Sequence, residues 1–130
     1  QVLMEHSRAF LERSTLFRET GSAHSALIVR GTEPLCFAED LGRFNALDKC
    51  LGKALLLGVD LGRCTLFTSG RLPLGLKTAR AGIPMVVSRS APTEASLALA
   101  ARCRLRVVGF ARGDRMTVYE NCREPSTNEI

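Results

Sequence analysis

The sequence predicts a single α/β domain with a mixed, mostly parallel sheet, and three observations carry that prediction. Short apolar runs rich in β-branched residues alternate with helical patterns from residue 26 to residue 110. Glycine, proline or a capping residue marks most of the boundaries between them. With 130 residues, 45% of them hydrophobic, the chain can bury roughly two thirds of its unfolded surface in one core.

In chain order, Leu3, Phe10, Leu11 and Phe17 are spaced as the buried stripe of a helix over residues 3–18. Thr20-Gly21-Ser22 ends it, and residues 26–29 read as a strand that turns through 30–34 into a second strand at 35–38, giving a hairpin. A loop carrying Glu39, Asp40, Gly42 and Arg43 leads to a helix that Asn45 is expected to cap, with Asp48 in its first turn. Leu47, Leu51 and Leu55, beside Ala46, Cys50 and Ala54, give that helix a wide apolar face, and Gly58 is expected to close it. Strands at 63–69, 85–88 and 105–110 alternate with helices at 77–80 and 93–102, which argues for right-handed crossovers. Residues 116–119 suit an edge strand. The domain is placed at 1–120 and a polar tail at 121–130.

The net charge of +5 favours an anionic ligand, while 5% aromatic content without Trp offers few platforms for stacking nucleic-acid bases. A phosphate-bearing small molecule suits this balance better than nucleic acid. The five cysteines, at 36, 50, 64, 103 and 122, are odd in number and contain no CxxC, so neither a disulfide framework nor a zinc site is expected. The first four sit in apolar segments that read as core, and Cys122 reads as exposed. This usage suggests a reducing compartment. With no apolar run of bilayer length and no signal-peptide pattern, the expectation is a cytoplasmic protein without a membrane partner. The start at Gln1 suggests a piece of something longer.

In open α/β sheets ligands bind beyond the carboxyl ends of the strands. Those ends carry Glu39-Asp40, Ser69-Gly70-Arg71, Ser88-Arg89-Ser90 and Gly109-Phe110-Ala111-Arg112, so polar and cationic groups are expected on one rim. Arg43, Arg71, Lys77, Arg89 and Arg112 are the cations that could face a diphosphate. Gly42-Arg43 before a helix start is a plausible phosphate site, and plain helix capping explains the same residues equally well. His24 reads as a structural hydrogen bonder rather than a proton-transfer group. Ser90 and Thr93 suit both capping and ligand contact.

Five stretches fall in order along the chain beside the central one: Thr20-Gly-Ser-Ala-His24, Ser69-Gly-Arg71, Gly82-Ile-Pro84, Ser90-Ala-Pro-Thr93 and Gly109-Phe110. The central one is Glu39-Asp-Leu-Gly-Arg-Phe-Asn-Ala-Leu-Asp-Lys49. Together they resemble the signatures of the FdhD family, the formate dehydrogenase accessory proteins. The resemblance implies a cytidine deaminase-like three-layer fold and a homodimer. It also implies sulfur passage from a cysteine desulfurase to the molybdenum bis-guanine dinucleotide cofactor of formate dehydrogenase. On these motifs it implies cofactor contacts, to that molecule or a GDP-like fragment, at Gly21, His24, Glu39, Asp40, Gly42, Arg43, Asn45, Asp48, Lys49, Ser69, Gly70, Arg71, Ser90, Thr93 and Phe110. The family's persulfide-bearing CxxC is absent from these 130 residues, so no catalytic residue can be named.

The sequence departs from the family pattern at Ser22, Phe44 and Thr117, and around Pro73. A degenerate nucleotide-binding domain without sulfurtransferase activity is therefore the alternative. A zinc deaminase on the same fold is set aside, because the H-x-E and P-C-x-x-C pattern that chemistry needs is missing.

Overall fold

The computed structural model describes residues 23–69, 75–112 and 115–119. The expected helix at 3–18, the Thr20–Ser22 turn, Gly70, Arg71, Pro73, Cys122 and the tail lie outside the described residues.

β1 (His24–Arg30) and β2 (Glu33–Asp40) form the expected hairpin, turned at Gly31 with φ +62°, a left-handed conformation that glycine adopts without a Cβ penalty. α1 (Arg43–Leu57) leads through a 3₁₀ turn (Leu61–Arg63) to β3 (Cys64–Thr68). There follow α2 (Gly75–Arg80), β4 (Met85–Ser88), α3 (Glu94–Arg102), β5 (Arg106–Arg112) and β6 (Arg115–Tyr119). The strand order across the sheet is β2-β1-β3-β4-β5-β6.

The sheet is mixed, as expected, but its parallel part is narrower than the sequence predicts. Only β3–β4 and β4–β5 pair in parallel, while β1–β2, β1–β3 and β5–β6 are antiparallel. Hairpins at both ends of the sheet need only short turns, whereas each parallel step requires a helical crossover. Because β1 runs against both its neighbours, β2, β3, β4 and β5 all point the same way. Their carboxyl ends share one edge with the start of β1.

All three crossovers advance in the same direction across the sheet, so right-handed connections place α1, α2 and α3 on one face. The larger core lies there, joining Ala46, Leu47, Cys50 and Ala54 of α1 and Ala100 of α3 to Ala26, Ile28, Leu66, Val86 and Val107 of the sheet. Strand alternation sends Leu27, Val29, Phe67, Val87 and Val108 to the opposite face, where they form a second buried cluster.

Two burial expectations are corrected. Leu55 is 79% exposed rather than part of the α1 core face. Steps of four residues drift by about 40° per turn around a helix of 3.6 residues per turn, so the stripe that starts at Leu47 has left the core by Leu55. Cys103 is exposed because it is the C-cap of α3, whereas Cys36, Cys50 and Cys64 are buried as expected. Gly58 does close α1, at φ 69°. Among the described residues no helix is long and apolar enough to cross a membrane.

Gly109, buried in β5, lets the loop after β4 lie against the sheet. A Cβ there would meet Pro92 Cδ at 2.9 Å, Tyr119 Cε2 at 3.1 Å and the Ser90 carbonyl oxygen at 3.3 Å. Gly109→Ala is expected to destabilise the domain by about 1–3 kcal/mol through overpacking. Gly52→Ala, in α1 with nothing within 4 Å, is expected to stabilise it by about 0.5–1 kcal/mol. Urea denaturation of the two variants measures both.

Candidate functional site

The shared edge of carboxyl ends gathers the site from four strands. Ser69, just past β3, is its junction. The Ser69 hydroxyl oxygen accepts the Ser25 backbone N–H at 2.9 Å and lies 3.3 Å from His24 Nδ1. The Ser69 carbonyl accepts the Ser90 hydroxyl at 3.2 Å, and the Ser90 N–H donates to the Ser88 hydroxyl oxygen at 3.0 Å. His24, Ser69 and Ser90 therefore form one chain of contacts across β1, β3 and β4. Ser88 is on the rim expected from the strand ends but not among the expected cofactor contacts, and here its hydroxyl closes the turn that carries Ser90.

Asp40 organises the other half. It stands opposite His24 in the β1–β2 ladder. Its Oδ1 accepts the Gly42 N–H at 3.0 Å and the Asn45 Nδ2 at 3.4 Å. Lys49 Nζ lies 2.7 Å from Asp40 Oδ2 and donates to the Glu39 carbonyl at 3.1 Å. The Gly42 N–H first, and then Lys49, hold the Asp40 carboxyl at about 2, down from 3.8.

The start of α1 differs from the sequence expectation. Its N-cap is Gly42, and Asn45 lies inside the helix. Asp40 has already drawn the chain into a turn through the Gly42 N–H, so the helix begins three residues early. The first backbone bond of α1 runs from the Ala46 N–H to the Gly42 carbonyl at 3.0 Å. No side chain caps this end, so the N–H groups of Arg43, Phe44 and Asn45 point outward unclaimed by any cap. Arg43 is exposed, its guanidinium 5.3 Å from the centre of the Phe44 ring. α3 is the contrast: Thr93 Oγ1 accepts the Ser96 N–H at 3.1 Å and closes that helix start.

Other expected contacts are committed elsewhere. Asp48 is at the sixth position of α1, not in its first turn, and both its oxygens lie 3.0 Å from Lys77 Nζ on α2. Lys77 Nζ also lies 5.3 Å from the centre of the Phe44 ring that Arg43 approaches, so it stays beside the start of α1. Lys49 is held by Asp40 in the same way. Glu39 and Arg89 are half-buried at the ends of β2 and β4, and Phe110 and Arg112 lie in β5. Gly21, Gly70 and Arg71 are outside the described residues. Among the described residues no group of three or more His, Cys, Asp or Glu side chains is placed to hold a metal ion.

A model of the FdhD/NarQ family matches residues 1–124. The sulfur carrier protein FdhD of Listeria monocytogenes is 40% identical over 119 residues, covering 90% of this chain and 44% of that protein. The sulfur carrier protein FdhD of Wolinella succinogenes is also 40% identical over 119 residues, covering 90% of this chain and 42% of that one. This chain thus spans less than half the length of these relatives. A solved chain named as a formate dehydrogenase accessory protein, from Desulfotalea psychrophila, superposes with a TM-score of 0.82 at 32% identity, covering 95% of this chain and 55% of that one. The dCMP deaminase of cyanophage S-TIM5 superposes with a TM-score of 0.61 at 16% identity, covering 81% of this chain and 97% of that one, which shows the deaminase-like fold alone.

Folding lowers the Asp40 pKa, so the ionised carboxylate contributes stability above the unfolded value and loses it as pH falls through the folded one. The melting temperature is therefore expected to drop between about pH 4 and about pH 2, and Asp40→Asn to flatten part of that slope. Thermal melts across this range read the difference.

Proposed function

The chain belongs to the FdhD/NarQ family, and from that premise we propose that it binds the guanine-nucleotide end of a molybdenum cofactor during its sulfuration for formate dehydrogenase. The sulfur would originate from a cysteine desulfurase, with the cofactor as cargo. One observation supports this reading above the rest: the helix start at Gly42 has no side-chain cap and lies beside an exposed arginine. Helix N-termini attract phosphate through unpaired N–H groups and the helix dipole. Arg43 adds a guanidinium that can pair with two phosphate oxygens. His24, Ser69 and Ser90 supply neutral hydrogen-bonding groups along the same edge.

The role assigned to this chain is binding rather than sulfur carriage. A persulfide carrier needs an accessible thiolate. Cys36, Cys50 and Cys64 are buried, and burial pushes the Cys50 thiol up to about 12. Cys103 is exposed, but it follows α3 at the edge of the sheet away from the candidate site.

A charge-assisted hydrogen bond is worth about 1.5–3 kcal/mol, so Arg43→Ala should weaken binding of guanosine diphosphate about tenfold to hundredfold. Because Arg43 is exposed, the melt should stay as in the wild type, and titration calorimetry beside a thermal melt measures both. Unchanged affinity would remove the phosphate role. For the thiols, iodoacetamide on the folded protein should label Cys103 and spare Cys36, Cys50 and Cys64, as peptide mass spectrometry can read. Transfer of labelled persulfide sulfur to any of those three would contradict the binding-only role.

A further inference from the structure

The core between the sheet and α1 holds three thiols that the proposed function leaves unused: Cys36 of β2, Cys50 of α1 and Cys64 of β3. Cysteine often fills a core as a small apolar side chain, and Cys64 does so, its Sγ donating to the Asp60 carbonyl at 3.4 Å across the 3₁₀ turn. Cys50 differs. Its Sγ reaches from the helix to the strand and donates to the carbonyl oxygen of Cys36 at 3.4 Å, while strand alternation sends the Cys36 side chain, like that of Ala38, toward α1. Both sulfurs therefore lie in the one layer between β2 and α1. We propose that Cys36 and Cys50 are a redox pair that a hydroperoxide closes into a disulfide, stapling the edge strand to the first crossover helix.

Access sets the order of the chemistry. Cys36 is 5% exposed and lines a shallow apolar groove with Leu35, Phe37, Leu56, Leu57 and Lys53, so an oxidant smaller than iodoacetamide can meet its sulfur first. Burial raises the Cys36 thiol, and the Lys53 ammonium opposes that rise by favouring the thiolate. Cys50 is wholly buried, and its thiol at about 12 suits it to answer an oxidised neighbour rather than to react first. In the first step the Cys36 sulfur attacks one peroxide oxygen: an S–O bond forms, the O–O bond breaks, and with hydrogen peroxide the other oxygen leaves as water with the thiol proton. In the second the Cys50 sulfur attacks the sulfenic sulfur of Cys36: the S–S bond forms, the S–O bond breaks, and its oxygen leaves as water with the Cys50 proton. Two thiols give up two electrons, and one peroxide takes them. The two cysteines are 14 residues apart, and the segment between them carries Asp40, Gly42 and Arg43, so the link closes a ring around the turn that leads into α1.

The inference goes beyond the proposed function and does not depend on it. The test treats the full chain, carrying Cys103→Ser and Cys122→Ser to prevent links between chains, with an excess of hydrogen peroxide and maps it by tryptic mass spectrometry. The expected result is the peptide 31–43 joined to the peptide 50–53 with the loss of two hydrogens, and dithiothreitol should separate them again. A ring of this size constrains the unfolded chain, so the linked protein should melt about 5–10 °C above the reduced one. With Cys50→Ala added, Cys36 should stop at a sulfenic acid that dimedone traps on unfolding. Thiols that stay free at both Cys36 and Cys50, a Cys36 that pairs with Cys64 or passes to sulfinic acid while Cys50 is present, or a linked protein that melts no higher than the reduced one would each overturn the proposal.

Discussion

The reversed course of β1 between β2 and β3 is the constraint on which the remaining architecture depends. Because β1 opposes both neighbours, β2 can lie two positions from β3 and still run parallel to it. Four strands then finish at one edge, and β1 contributes its first residue, His24, to that edge. The Ser69 hydroxyl secures the arrangement at the point where strand pairing ends, through the Ser25 N–H, and the Ser69 N–H returns a bond to the Ser25 carbonyl at 3.2 Å. Were β1 parallel to β3, His24 would lie at the opposite edge instead.

Electrostatics then sort the cations by what they can still do. Three lysines are engaged by contacts within the fold. Lys49 serves Asp40, Lys77 serves Asp48, and Lys53 serves the Phe37 carbonyl on the edge strand. Each contact is exposed and contributes little to stability by itself. Together they leave Arg43 at a helix start whose cap is glycine. The two crossover helices with described starts therefore differ: α3 is closed by the Thr93 side chain, while α1 keeps its first N–H groups directed outward.

Local signals were legible in the sequence where one residue decides the geometry. Gly58 ends α1, Thr93 caps α3, and the run Met85–Ser88 is a strand over the expected residues. The convergence of strand ends was legible through the general placement of ligands in α/β sheets. What escaped depended on contacts distant in sequence or on the competition between two local options. Asn45 is a good capping residue, yet Asp40 captures the Gly42 N–H first and the helix starts earlier. The pairing of Lys77 with Asp48, 29 residues away, is such a distant contact. The exposure of Leu55 and Cys103 follows from helix phase and helix ending, which apolar composition does not encode.

Backbone amide shifts of the isotope-labelled chain titrated with guanosine diphosphate test the central claim most directly, since they read the whole surface at once. A ligand at the shared edge predicts the largest changes at Gly42, Arg43, Phe44 and Asn45, with His24, Ser69 and Ser90 moving along the same titration curve. Absence of saturable shifts, or shifts confined to the edge that carries Leu55, Leu56 and Leu57, would contradict it.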